Sequence, residues 1–275
     1  ALDALRHLLG GFPTQFDLPT DHPRPPVADG RGAAQQVRIP AELARPFVET
    51  ARRHKATAYM ALLATFALLM ARLSGATKLL IGAPVAARRG EAEEAILGYQ
   101  ANTVAIPINL EGAPGFAALV ERTRAAVLAV METQQVPFEQ VVETLSPPRS
   151  RDRAPLVQVV FALQPATVSP PHLPGLTSTV LTRHNESARF DLMLNLEPTS
   201  DGGFVGPMTY AASLFEASTI AAWVEQFLEL VQTLPARWDA PLNLAPPHLQ
   251  SLPFTPAAAI AMPPVYNKHQ QAHTA

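Results

Sequence analysis

Few residues in this 275-residue chain combine the types and spacings that chemistry needs. No two of its eight histidines are adjacent. His269 and His273 stand four apart, which on a helix would present two metal ligands on one face. They fall in a polar tail without periodicity, where an expression scar or a disordered end explains them better. Glu93 and Glu94 are neighbouring carboxylates in a charged loop, where solvation accounts for them. Asn185-Glu186-Ser187 fits a glycosylation sequon, which has no meaning in a cytosolic chain. There is no glycine-rich phosphate loop, no Gly-x-Ser-x-Gly elbow and no His-Glu-x-x-His pair. Cysteine is absent, which excludes a thiolate nucleophile, a disulfide framework and cysteine-type zinc sites. Spacing alone therefore assigns no catalytic residue and no metal site.

The composition narrows the class. Hydrophobic residues make up 48% and charged residues 16% of the chain, the content of a folded globular protein. The net charge is -2 and the longest basic run is Arg52-Arg53-His54-Lys55, so a phosphate-tracking surface for nucleic acid has no support. The start, Ala1-Leu2-Asp3-Ala4-Leu5-Arg6, has no secretory pattern, and the expected compartment is the cytoplasm. The missing initiator methionine predicts an excised or engineered boundary. Proline, at 28 residues, is about twice its usual share of roughly 5%.

The prolines punctuate the chain. Residues 1–34 read as a proline-rich strap or linker, with Pro13, Pro19, Pro23, Pro25 and Pro26 forcing an extended crossing. A strand is expected at Gln35 to Ile39 and a helix at Glu42 to His54. A second helix follows, with Thr57 as N-cap and Gly75 just past its end. Its uncharged run from Ala56 to Ala71 falls short of the roughly 20 residues of a membrane span, so a buried core helix is expected and no membrane contact. Lys78 to Val85 reads as a central strand and Gly98 to Leu110 as another. Phe116 to Gln134 is amphipathic, with Phe116, Leu119, Val120, Thr123, Val127, Val130 and Met131 on one stripe. A short helix is expected from Phe138 to Leu145. Strands are expected at Leu156 to Leu163, Leu176 to Leu181, Phe190 to Leu196 and Phe204 to Tyr210. A helix over Ala217 to Leu234 closes the folded region 35–235, and 236–275 reads as an irregular, poorly ordered tail.

Four segments in order carry a family resemblance. Thr57 to Gly75 followed by Leu80-Ile81-Gly82-Ala83-Pro84-Val85 resembles the central helix and strand of nonribosomal peptide synthetase condensation domains. Leu97-Gly98-Tyr99-Gln100-Ala101-Asn102-Thr103 is similar to that family's Gly-x-Phe-Val-Asn-Thr motif. Gln134-Gln135-Val136-Pro137-Phe138-Glu139 resembles its Gln-Asp-x-Pro-Phe-Glu motif. Arg149 to Leu156, with Arg153 and Pro155, resembles its Arg-Asp-x-Ser-Arg-x-Pro-Leu motif. The strap Leu18 to Pro25 and Arg189-Phe190-Asp191-Leu192 also fit.

The resemblance implies an α/β fold of the chloramphenicol acetyltransferase type, a mixed sheet with packed helices. The family's His-His-x-x-x-Asp-Gly signature belongs to an N-terminal lobe and is missing here, so the resemblance implies a C-terminal lobe, inactive alone. By the same resemblance the lobe walls a substrate tunnel and helps dock donor and acceptor peptidyl carrier proteins beside an N-terminal condensation lobe. No cofactor is expected to bind directly; the phosphopantetheine arm would arrive on the carrier proteins. Tyr99, Asn102 and Thr103 are the tunnel-facing candidates, with Asn102 equally able to satisfy backbone groups at its strand end. Gly98, Pro137, Phe138, Glu139, Arg149, Arg153, Pro155 and Asp191 are expected to be structural. Glu139 suits the first turn of a helix, and Arg153 needs an ion-pair partner. The family's arginine after the Asn-Thr pair falls on Pro107, and Asp152 stands where it has serine. A non-catalytic interaction module is the alternative, and an epimerisation domain is disfavoured by Asn102-Thr103.

Overall fold

A mixed six-stranded sheet, with helices on both of its faces, organises the residues described by the computed structural model, which are 1–86, 97–98, 101–112, 115–165, 175, 185–242 and 244. The elements run α1 (Leu2–Leu9), β1 (Gly32–Ile39), α2 (Ala41–Arg53), α3 (Ala58–Ser74), β2 (Lys78–Ala86) and β3 (Ala101–Asn109). They continue with α4 (Phe116–Met131), α5 (Phe138–Leu145), β4 (Val159–Leu163), β5 (Leu192–Pro198), β6 (Phe204–Ala211), α6 (Ala217–Thr233) and a final 3-10 turn (Leu234–Arg237). The strand order is β1-β6-β5-β4-β2-β3; β4 is parallel to β2 and β5, and the other pairs are antiparallel.

The best-defined helix from sequence is also the core of the fold. Thr57 accepts a hydrogen bond from the Met60 N–H at 3.2 Å, and Gly75 takes the left-handed conformation (φ 74°) that ends α3 without a Cβ clash. Every residue from Met60 to Ala71 is buried. No single described helix is long and apolar enough to cross a membrane; α2 and α3 qualify only as a pair, and they meet at 105°. Replacing Thr57 with Ala removes the cap and should cost about 1 kcal/mol in urea denaturation; an unchanged midpoint would show that packing alone sets the helix start.

One sheet face carries Ile81, Ile106, Phe161, Leu194 and Met208, packed with α3, α4 and α6 in the main core. The β5/β6 crossing is close: a Cβ on Gly206 would lie 1.9 Å from the Asn195 carbonyl, so only glycine fits. The other face is covered at one end by α1 and α5 through Leu5, Leu9, Leu80, Ala105, Val141 and Leu156.

Four expectations shift. The 1–34 strap holds helix α1, whose Leu5 and Leu9 are buried, and β1 already begins at Gly32; Leu2, Leu5, Leu8 and Leu9 stand at helical spacing, a period carried by only two turns. The strand expected from Leu156 starts at Val159, because Leu156 has φ 65° in a tight turn closed by the Val157 N–H on Pro155 O at 2.7 Å. The helix expected to reach Gln134 ends at Met131. The expected irregular tail begins docked: Trp238 is 4% exposed, stacks on His54 at 5.3 Å and meets Phe116 edge-on at 4.8 Å. The expected strand Leu176 to Leu181, Glu93-Glu94 and the His269/His273 pair lie outside the described residues.

Candidate functional site

Beside the α1/α5 cover, the second sheet face opens into a cleft of about 360 Å³. Its strand positions are Pro84 (β2), Thr103 (β3), Val160 (β4), Met193 (β5) and Thr209 (β6), and its wall is the segment from Asn185 to Phe190. The register explains the convergence. Gly82 pairs with Val160, Val160 with Met193, Met193 with Thr209, and Pro84 with Thr103, so these residues form two adjacent cross-strand rows.

Of the tunnel-facing candidates, Thr103 lines this cleft, Tyr99 lies outside the described residues, and Asn102 is committed elsewhere. Asn102 Nδ2 donates to the carbonyls of Gln134 and Val136, both at 2.8 Å. Its Oδ1 accepts from the N–H groups of Thr103 (2.9 Å) and Phe138 (3.1 Å). A primary amide has two donors and two acceptor lone pairs, and all four are spent joining the start of β3 to the turn before α5. Pro137 precedes the first residue of α5, Phe138 packs on the Leu5, Leu9 and Val141 cluster that covers the second sheet face, and Glu139 is an exposed acid in the first turn. Gly98 (φ 153°), Arg149 and Pro155 are exposed.

Arg153 and Asp191 meet the strap. Arg153 pairs with Asp17 at 2.8 Å and Asp152 at 3.3 Å. The Ser150 hydroxyl, helped by Arg153, holds the Asp152 carboxyl below the usual carboxylate range. Asp191, 9% exposed in its side chain, receives a bidentate pair from Arg24: Nη1 to Oδ1 at 3.0 Å and Nη2 to Oδ2 at 2.5 Å. Burial alone would push the Arg24 guanidinium pKa down, but its bond to and attraction by Asp191 leave it raised. Asp21 accepts from the Glu216 N–H at 2.8 Å and from the Thr219 hydroxyl at 2.9 Å, capping α6 from a distant segment. Gln158, 1% exposed, donates to the carbonyls of Thr14 and Ala154 and accepts from the Phe16 N–H. Nothing local in the sequence marks Asp17, Asp21, Arg24 or Gln158 for these contacts. Asp191 is buried and takes its cation from Arg24, 167 residues away.

Thr103 therefore sits at the cleft, Asn102, Pro137, Phe138 and Glu139 at the β3/α5 junction, and Arg153 and Asp191 at the strap contacts. Among the described residues no group of histidine and acidic side chains is arranged to hold a metal ion.

This mixed sheet with helices packed on it defines a chloramphenicol acetyltransferase-like fold, shared with solved condensation domains. A holo four-domain nonribosomal peptide synthetase bound to AMP and glycine superposes with a TM-score of 0.81 at 23% identity, over 90% of this chain and 20% of that one. The X-domain from teicoplanin biosynthesis gives 0.79 at 25% identity, over 88% of this chain and 56% of that one. The condensation-domain family model matches residues 6–244, and the chain belongs to that family. Malpinin synthetase of Mortierella alpina is 38% identical over 215 residues, 78% of this chain and 3% of that protein. An isonitrile lipopeptide synthase of Mycobacterium tuberculosis is 36% identical over 233 residues, 83% of this chain and 9% of that protein. The chain thus spans under a tenth of the length of these two relatives.

Proposed function

We propose that this chain is the C-terminal lobe of a condensation domain, forming one wall of a tunnel in which an amide bond is made between two carrier-protein-tethered thioesters. The observation that carries the reading is the family match over residues 6–244 in a chain with no two adjacent histidines. In the reaction the acceptor amine attacks the donor thioester carbonyl, a C–N bond forms and the C–S bond breaks; the donor arm leaves as a thiol, taking up the proton that the amine gives to a base on the other lobe. This chain's share is positioning, worth several kcal/mol where two tethered reactants are held in register. Thr103, in the cleft, is the substrate-facing residue; Asn102 positions it by fixing the strand end. The phosphopantetheine arms come with the donor and acceptor carrier proteins, and the setting is a cytoplasmic assembly.

The test mixes the chain with a separately produced N-terminal lobe bearing the His-His-x-x-x-Asp-Gly signature and with two loaded carrier proteins, reading product by mass spectrometry. Product with both lobes and none with either alone is expected. The rival reading, a non-catalytic module that recruits a partner, is favoured by one neighbour: the teicoplanin X-domain, solved in complex with OxyB, at 25% identity and a TM-score of 0.77. Binding of a carrier protein without product, even with the N-terminal lobe present, would select it.

A further inference from the structure

The segment from Asn185 to Phe190 is a wall with two sides. One side bounds the cleft of about 360 Å³ on the second sheet face. Ala188, Arg189 and Phe190 also line a second cavity, of about 30 Å³, together with Arg24 and Gly30 of the strap and with Asp152 and Arg153. That volume is room for about two water molecules at most. The strap is therefore packed close behind the wall.

The wall's backbone needs that support. Glu186 has φ 55°, a left-handed conformation that residues other than glycine adopt rarely and keep only where their neighbours enforce it. Within the wall, the Asn185 Oδ1 accepts from the Ser187 N–H at 3.3 Å and from the Ser187 hydroxyl at 2.8 Å. From the strap come two backbone bonds around an antiparallel Arg31–Ser187 bridge: the Gly32 N–H donates to Glu186 O at 2.9 Å, and the Ala188 N–H donates to Gly30 O at 3.0 Å. A side-chain anchor follows at Asp191, one residue past the wall, which accepts from both terminal nitrogens of Arg24.

Gly32 sets the separation. A Cβ at this position would fall 2.3 Å from the Ser187 carbonyl carbon and 2.5 Å from both Ala188 N and Ser187 O. Carbon atoms in contact sit at roughly 3.5–4.0 Å, so any other residue must drive strap and wall apart by on the order of 1 Å. The obstructing atoms are backbone, with no rotamer to change. A misplacement of about 1 Å caused far from the reacting groups can cost about 100-fold in rate.

We propose that Gly32 and Arg24 are positioning residues: acting through the Glu186-Ser187-Ala188 backbone and through Asp191, they fix the wall of the cleft and so the size of group that reacts there. Neither residue lines the cleft itself. The proposal rests on the condensation reading for its activity readout, while the wall's position is read without substrate.

Gly32→Ala and Arg24→Lys test it, with Thr57→Ala as a control that weakens the fold away from the wall. Hydrogen exchange on this chain reads the wall directly. The Ala188 amide should exchange at least ~10-fold faster in Gly32→Ala and about 3-fold faster in Arg24→Lys, whose point charge cannot reproduce the two-pronged bond. In Thr57→Ala it should stay within about 2-fold of the parent. The second measurement uses the two-lobe assembly, pairing an acetyl-loaded donor carrier protein with acceptor carriers bearing glycyl or leucyl groups. Gly32→Ala should change the ratio of the two kcat/KM values by about 5-fold or more. Arg24→Lys should change it in the same direction by less, and it decides the matter if Gly32→Ala fails to fold; Thr57→Ala should leave the ratio unchanged. An Ala188 amide that exchanges as in the parent in both wall variants, an equal acceleration in Thr57→Ala, or proportional losses for the two acceptors would overturn the proposal, since a merely structural role lowers both activities alike. Absence of product from the parent assembly would overturn the condensation reading, and exchange at Ala188 alone would then decide whether strap residues fix the wall.

Discussion

Replacing Arg24 with Met should destabilise the fold by about 3–5 kcal/mol, the usual loss when one partner of a buried ion pair is removed. The side chains of Arg24 and Asp191 are 13% and 9% exposed, so the abandoned carboxylate is left with little water. The loss is larger than for a surface pair, typically under about 1 kcal/mol, because the surviving charge keeps its desolvation penalty. The double variant Arg24→Met with Asp191→Leu removes the stranded charge and should lie closer to the parent than the single variant does. Urea denaturation followed by tryptophan fluorescence, with Trp223 and Trp238 both buried reporters, measures all three proteins. A single-variant loss below about 1 kcal/mol would show that the strap contact is only a surface pair.

Asn102→Ala should cost about 3 kcal/mol, four hydrogen bonds at roughly 0.5–1.5 kcal/mol each less some recovery by water. The more telling variant is Asn102→Asp. A carboxylate can still accept from the Thr103 and Phe138 N–H groups, but its second oxygen would face the Gln134 and Val136 carbonyls with no proton to offer. Asp should therefore be no better than Ala at neutral pH, despite its near-identical shape. Hydrogen exchange at the Phe138 amide should accelerate in both. If Asp behaved like Asn, the side-chain amide would not be tying the two carbonyls, and Asn102 would return to being free for a substrate.

Both variants lie where reading the sequence was least able to reach. Period and punctuation place α3, with its Thr57 cap and Gly75 stop, and α5 from Phe138 to Leu145, because those signals are local: a hydroxyl before an apolar run, a glycine after it, a proline at a helix start. The order of four motifs places the chain in its family. β5 and β6 alternate between buried and half-buried positions, whereas β2, β3 and β4 are buried along most of their length, so alternation marks the shared face only in β5 and β6.

Pairings across more than a hundred residues have no local signal. Asp191 reads as a residue that holds a strand crossing; that it takes a bidentate pair from Arg24 of the strap, 167 residues away, has no local signal. Asn102 and Thr103 are neighbours in one motif with opposite fates. The two-residue period of a strand turns one into the cleft and the other toward the turn before α5. The amino-acid sequence by itself determined the family, the central helix, most of the strands and the absence of adjacent histidines, since each depends on residue type and short spacing. Only the tertiary structure decided that five strands place Pro84, Thr103, Val160, Met193 and Thr209 around one cleft, and that the strap is pinned by Asp17, Asp21 and Arg24. Sheet register and buried-charge pairing are settled by packing the whole chain at once, and no window of sequence contains them.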